Sequence, residues 1–204
     1  MTFPVAVLAS GTGSNLQALL DRVHGRDGIE VVCVGSNNAD ARALERARAK
    51  GIQTSIFPAG EYEDRAARDA AMGDWLEGHG VRLVVLAGFM EILSGGFIER
   101  FRGRIVNVHP SLLPAFPGIR SIEQALEYGV RVTGVTVHFV DEGMDSGPII
   151  LQEAFELPYH RDIEAVETRV HEIEHELLPR AVRLIAAGRV QVDGRIVWIG
   201  DGEG

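Results

Sequence analysis

In the first half of the chain, short apolar runs alternate with helix-like segments, and no other feature limits the fold as strongly. Phe3–Ala9, Ile29–Gly35, Ile52–Phe57, Val81–Ala87 and Ile105–Val108 read as strands. Between them, Leu16–Val23, about Ala39 to Lys50, Glu61–Glu77 and Ser94–Arg100 carry helical patterns. The strongest strand runs are apolar at consecutive positions, so both of their faces need cover. Strands of that kind, separated by helices, predict an α/β fold: a mostly parallel twisted sheet with helices on both faces.

The second half changes character. Val132–Val140 alternates more clearly, and Ile149–Leu157 is another strand. The loop Asp141–Pro148 between them predicts an antiparallel pair in the C-terminal part. A long helix is expected from about Asp162 to Ala187, bent at Pro179 and stopped by Gly188. Val190–Val192 and Ile196–Trp198, joined across Asp193-Gly194, suit a terminal hairpin. No internal repeat, low-complexity stretch or linker interrupts the 204 residues, so one domain over 1–204 is expected.

Apolar residues make up 46% and charged residues 24%, the balance of a chain with a real core. The formal net charge is −9, with no offsetting Lys/Arg cluster. Long nucleic acid is disfavoured as a partner, because phosphate neutralisation supplies most of that affinity. A small anion is still admissible, since a local site can oppose the global charge. The single cysteine, Cys33, allows no internal disulfide and sits in an apolar run. Met1-Thr2-Phe3-Pro4 has no signal-peptide character, and no stretch reaches the ~18 apolar residues of a membrane span. The expectation is a soluble, cytoplasmic protein without a membrane partner.

Gly11-Thr12-Gly13-Ser14-Asn15 follows the first strand and opens the first helix. Exposed N–H groups at such a helix start favour an anion. The dinucleotide fingerprint fails, because Leu16 replaces its third glycine and Ser36-Asn37-Asn38 stand where an acid belongs. No Walker lysine is present either. One phosphate on a small ligand fits better; a purely structural strand-to-helix turn is the alternative.

Asn107-Val108-His109-Pro110-Ser111-Leu112-Leu113-Pro114 leaves the strand Ile105–Val108. Strand alternation points Asn107 and His109 to the same side. An amide donor and an imidazole suit a developing oxyanion; ordinary turn chemistry is the bland alternative. The loop Asp141–Gly147 offers carboxylates on a glycine-rich frame, and Asp145 beside a histidine would favour the imidazolium. A solvated acidic loop is the other reading. His138 lies on the more polar face of its strand, either supporting this group or satisfied on its own.

His171-Glu172-Ile173-Glu174-His175 matches the His-Glu-x-x-His zinc pattern. It offers a rival from another class, a zinc hydrolase using His171, Glu172 and His175. No Gly-x-x-His extension follows, because Leu177-Leu178-Pro179 comes next. The bland alternative is charged residues on an amphipathic helix, and no metal is expected.

Taken together, Val7–Gln17, Val84–Met90, Asn107–Pro117, Thr133–Gly147 and Arg169–His175 resemble the glycinamide ribonucleotide formyltransferase family, in that family's order. The resemblance runs from about Val5 to Trp198. Its most specific parts are Asn-x-His-Pro-Ser-Leu-Leu-Pro and His-Phe-Val…Asp-Ser-Gly-Pro-Ile. It implies a Rossmann-like fold, with a phosphate-binding half at about 1–100 and a folate-binding, catalytic half at about 101–204. It implies a formyl donor, 10-formyltetrahydrofolate, and an acceptor amine, 5'-phosphoribosylglycinamide, in purine biosynthesis. These small molecules would be the only partners, with the chain a monomer or homodimer.

By the same resemblance, Gly13, Ser14 and Asn15 would hold the ribonucleotide phosphate. Asn107, His109 and Asp145 would be the catalytic trio. The folate would meet Arg65, Met90, Glu91, Ile92, Leu93, Asn107 and the loop Asp141, Glu142, Gly143, Met144 and Asp145. His171, Glu172, Ile173 and Glu174 would face the ribonucleotide, with Glu174 on a sugar hydroxyl. Asn107 and protonated His109 would bind the oxyanion of a direct transfer, and Asp145 would help collect the amine proton. Three positions depart from the pattern: Glu91 stands where a basic residue is common, and Arg120 and Ile122 stand where some members carry histidines.

Rivals with related chemistry are formyltetrahydrofolate hydrolase and methionyl-tRNA formyltransferase. The first is expected to add an N-terminal domain and the second a C-terminal RNA-binding domain, and the acidity of this chain argues against tRNA. A non-enzymatic nucleotide-binding module would explain the glycine loop but not the trio.

Overall fold

The computed structural model describes residues 2–157, 159 and 162–200. The ends of the expected 1–204 domain, Met1 and 201–204, lie outside the described residues. The chain divides into two compact units, Met1–Val106 and Asn107–Gly204.

The first unit holds β1 (Phe3–Leu8), α1 (Ser14–Arg22), β2 (Ile29–Ser36), α2 (Arg42–Ala49), β3 (Gln53–Ile56), α3 (Arg65–Gly78), β4 (Leu83–Leu86) and α4 (Gly95–Arg100). The strand order is β3-β2-β1-β4, all parallel. The chain steps outward from β1 to β3, then returns to the other side of β1 for β4. Right-handed crossovers therefore place α1 and α2 on one face and α3 on the other. Accordingly α1 packs on α2, and α3 packs on α4. The reversal creates a topological switch point between β1 and β4, where open α/β sheets bind ligands beyond the strand C-termini.

Cover on both faces explains the consecutive apolar residues: Ala6, Val7 and Leu8 of β1 and Val84 and Val85 of β4 have no exposed surface. Cys33 is equally buried in β2, and burial pushes its thiol up to about 12, which makes it inert.

The second unit takes up β5 (Ile105–His109) from Asn107 onward, then α5 (Ser121–Tyr128), β6 (Val132–Phe139), β7 (Ile149–Glu156), α6 (Ile163–Ala186) and the hairpin β8 (Val190–Asp193) and β9 (Ile196–Ile199). β6 and β7 are antiparallel, as the alternation predicts. Their register shifts between Val137 and His138, a bulge that re-aims the end of β6. α6 packs on β6 and β7, and α5 packs on α6.

Two boundaries differ from the sequence reading for local reasons, and one helix is missing from it. Asn38 Oδ1 accepts from the Asp40 N–H at 3.0 Å, which holds a turn and delays α2 until Arg42. Asp64 caps α3 by accepting from the Ala67 N–H, so the segment from Glu61 splits into a 3-10 turn (Ala59–Glu61) and a helix. The eight-residue α5 is absent from the sequence reading altogether. Pro179 lies within α6 without ending it, and Gly188, at φ 68°, follows that helix.

Candidate active site

In the second unit, Asn107 and His109 leave β5 on one side and converge on a single carboxylate. Asn107 Nδ2 donates to Asp145 Oδ1 at 3.4 Å, and His109 Nδ1 stands 3.4 Å from Asp145 Oδ2. The other ring nitrogen of His109 donates to the Phe116 carbonyl at 2.8 Å. Oxygens therefore face both nitrogens of the ring. His138 completes the group. Its Nδ1 donates to the Phe139 carbonyl at 2.8 Å, and its Nε2 faces both Asn107 Nδ2 at 3.3 Å and Asp145 Oδ1 at 3.6 Å.

Burial alone would raise the Asp145 pKa. The bond from His138, the Gly118 N–H donating to Oδ2 at 2.7 Å and the two imidazoles outweigh it, so the carboxyl titrates below its ordinary value. Asp145 itself sits in the left-handed region at φ 49°, a conformation Asp tolerates better than most residues. Gly147 closes the loop against β6: a β-carbon there would collide with the Phe139 carbonyl.

The loop behind His109 is pinned by residues the sequence reading did not single out. Buried Thr136 donates its hydroxyl to the Ser111 carbonyl at 2.7 Å and accepts from the Leu113 N–H at 3.1 Å. Gln152 Nε2 donates to the Leu113 carbonyl and to Thr136, both at 2.9 Å. Neither residue carries a motif; only the β6–β7 register, which pairs Thr136 with Gln152, brings them together. Asp141 Oδ1 accepts from the Gly143 N–H and the Ser146 hydroxyl, which folds the acidic loop on itself. Glu142 and Gly143 are exposed, and Met144 is 63% exposed.

In the first unit, Gly13 adopts φ 71° at the start of α1, and a β-carbon there would lie 2.7 Å from Ala43 Cα. Only glycine fits that approach. The Ala43 N–H donates to Gly11 O at 3.2 Å, and Arg46 Nε donates to Thr12 O at 2.9 Å, so α2 braces the loop. Ser14 and Asn15 begin α1 and bring its N-terminal amides to the loop. After β4, Met90 and Ile92 are 75% and 64% exposed, whereas Leu93 is buried. Glu91 does not point freely to solvent: buried Arg68 pairs with it at 3.1 Å. Burial works against the Arg68 charge, but bonds to Asp69 and Glu91 prevail and its pKa rises. Arg65 is exposed in the first turn of α3.

On α6, His171 Nδ1 donates to Glu174 Oε2 at 3.0 Å, and the His171 and His175 rings stack at 6.1 Å. The hydrogen bond to Glu174 raises the His171 pKa against the smaller effect of burial. Glu172 pairs with Arg169 at 2.8 Å on the exposed face, and Ile173 is buried. The zinc reading is therefore not favoured. His171 is bonded to a carboxylate, and among the described residues no three metal-ligating side chains gather. Among the described residues, too, no helix is long and apolar enough to cross a membrane.

Comparison with known proteins identifies the family. The family model described as formyl transferase matches residues 4–182. The chain is 46% identical over 198 residues to the trifunctional purine biosynthetic protein adenosine-3 of Bos taurus, covering 96% of this chain but only 20% of that protein. It is 41% identical to the phosphoribosylglycinamide formyltransferase of Bacillus subtilis (strain 168), covering 87% of this chain and 92% of that one. The structure of glycinamide ribonucleotide transformylase 1 from Symbiobacterium toebii superposes with a TM-score of 0.95 at 46% identity, over 98% of this chain and 95% of that one. The fold is the mostly parallel, Rossmann-like α/β fold with an antiparallel C-terminal pair. By its sequence and its fold, the chain belongs to the formyl transferase family.

Proposed function

We propose that the chain transfers the formyl group of 10-formyltetrahydrofolate to the amine of 5'-phosphoribosylglycinamide, in purine biosynthesis. One observation carries the reading: an amide and an imidazole, Asn107 and His109, converge on the Asp145 carboxylate in a chain so similar to phosphoribosylglycinamide formyltransferases. The same reading makes it a cytoplasmic enzyme, monomeric or homodimeric, that works on small molecules and needs no metal.

The residues present fit a reduced folate. Exposed Met90 and Ile92 offer apolar contacts in the first unit, and exposed Met144 offers one in the second. Arg65 would meet a carboxylate of the folate tail. The donor supplies an activated formyl carbon. Asn107 Nδ2 and His109 Nδ1 donate to its oxygen as negative charge develops there. Both donors stand 3.4 Å from Asp145 at rest, so the groups that face the carboxylate are the ones turned to the reacting oxygen. His109 Nε2 stays on the Phe116 carbonyl, which makes Nδ1 the nitrogen that passes a proton to the departing amine. Asp145, held ionised, balances the imidazolium and gathers the proton of the attacking amine through water. Gly13, Ser14 and Asn15 bind the acceptor's phosphate at the α1 N-terminus, and Glu174 accepts from a sugar hydroxyl.

The test is folate release from 10-formyltetrahydrofolate, with and without 5'-phosphoribosylglycinamide. Release that requires the amine supports transfer. Release at the same rate without it favours the formyltetrahydrofolate hydrolase reading instead.

A further inference from the structure

Three loops at the switch point of the first unit are stitched together by one chain of polar contacts. The Ser10 hydroxyl, after β1, donates to Asn37 Oδ1 at 2.6 Å and accepts from the Met90 N–H at 2.8 Å. Asn37, after β2, donates from Nδ2 to Glu91 Oε1 at 3.1 Å. Glu91, after β4, turns its other oxygen to Arg68 Nη1 at 3.1 Å. Arg68 is 2% exposed and bonds Asp69 Oδ1 through Nε and Nη2, at 2.9 and 2.8 Å. Asp69 Oδ2 in turn accepts from the Ser94 N–H at 2.6 Å, where the loop ends.

Both carboxylate oxygens of Glu91 are thus engaged by the protein, while its neighbours Met90 and Ile92 are bare apolar side chains. A charged group turned inward between two apolar groups turned outward is how a loop is anchored so that it can present those apolar groups. We propose that Glu91 is a positioning residue that locks the Met90–Leu93 loop to the loops after β1 and β2, and thereby sets the affinity for the formyl donor. The proposal rests on the formyl-transfer reading above. Glu91 acts through Asn37 and Arg68 and does not itself contact the donor. Removing it leaves the buried guanidinium with Asp69 alone, and leaves the loop held by the Met90–Ser10 bond and the Ser94–Asp69 bond.

Steady-state kinetics in both substrates, on wild type, Glu91→Ala, Asn37→Ala and the double variant, test the proposal. Each single variant is expected to raise KM for 10-formyltetrahydrofolate about tenfold, the effect of losing one charge-assisted bond. Turnover and KM for 5'-phosphoribosylglycinamide should stay within about twofold, because the loop's placement and not the chemistry has changed. The double variant should be no worse than the poorer single one, since both cuts release the same tether. An unchanged donor KM in Glu91→Ala overturns the proposal, as does a loss confined to kcat. Additive effects in the double variant overturn it too, because they mean that Glu91 meets the donor independently of Asn37. If Glu91→Ala does not fold, Glu91→Gln keeps an acceptor for Arg68 and should show the same KM pattern at about threefold. A wild-type protein that transfers no formyl group overturns the reaction and this proposal with it; a normal wild type with indifferent variants overturns Glu91 alone.

Discussion

His109 Nδ1 lies 3.4 Å from Asp145 Oδ2, with the two side chains only 5% and 14% exposed. An imidazole and a carboxylate so placed, away from bulk water, interact far more strongly than an exposed pair. Phe116 holds the other ring nitrogen, so Nδ1 is the one turned toward Asp145.

Asp145→Asn removes the charge and keeps the shape. Turnover should fall by about 10²-fold or more, within the range for a lost acid–base partner. The far-UV circular dichroism spectrum should be unchanged, and both are read on the same preparation.

Acid stability should report the same carboxylate. The Asp145 pKa is depressed in the folded chain. Its stabilising contribution is therefore complete above the unfolded value, about pH 4, and is lost as pH falls through the folded value. Urea unfolding of wild type should weaken from about pH 4 downward, and Asp145→Asn should show a shallower fall over that window. Parallel curves for the two proteins would remove Asp145 from this account.

Gly13→Ala meets both a left-handed backbone angle and the Ala43 backbone at 2.7 Å. The variant should lose about 1–3 kcal/mol of stability, read by denaturant melts. It should also raise KM for the phosphorylated acceptor more than KM for the formyl donor, because the proposed function puts the acceptor's phosphate on that loop.

His171 should titrate above its ordinary value because Glu174 accepts its Nδ1–H. Stability from this pair is present below the unfolded value, about pH 6.5, and fades as pH rises through the folded one. The ring is half exposed, so the energy is small, and NMR of its ring protons is the better measurement. Glu174→Gln should bring the titration back toward about pH 6.5.

Much of this was legible in the sequence because periodicity and burial act locally. Consecutive apolar residues in Phe3–Ala9 and Val81–Ala87 announce strands covered on both sides, and such strands form. Asn107 and His109 share a side because strands alternate, and both reach Asp145. What escaped the reading depends on partners distant in sequence. The Thr136–Gln152 anchor exists only once β6 and β7 have set their register. Glu91 looks like a misplaced charge until Arg68, 23 positions earlier, packs beneath it. The helix α5 lies between a proline-rich loop and Gly129, and its eight residues give only Ser121 and Ala125 to the interior, too little for a visible stripe. The His-Glu-x-x-His pattern misleads for the opposite reason: its spacing is right for a helix face, but Glu174 holds the histidine a metal would need.

The central claim is that His109 donates to the reacting carbonyl oxygen. Single-turnover formyl transfer by His109→Ala, on protein shown by its melting curve to be folded, tests it most directly. The predicted result is a rate lower by ~10²–10³, the usual cost of one oxyanion donor. A folded His109→Ala variant that transfers the formyl group at near wild-type rate would contradict it.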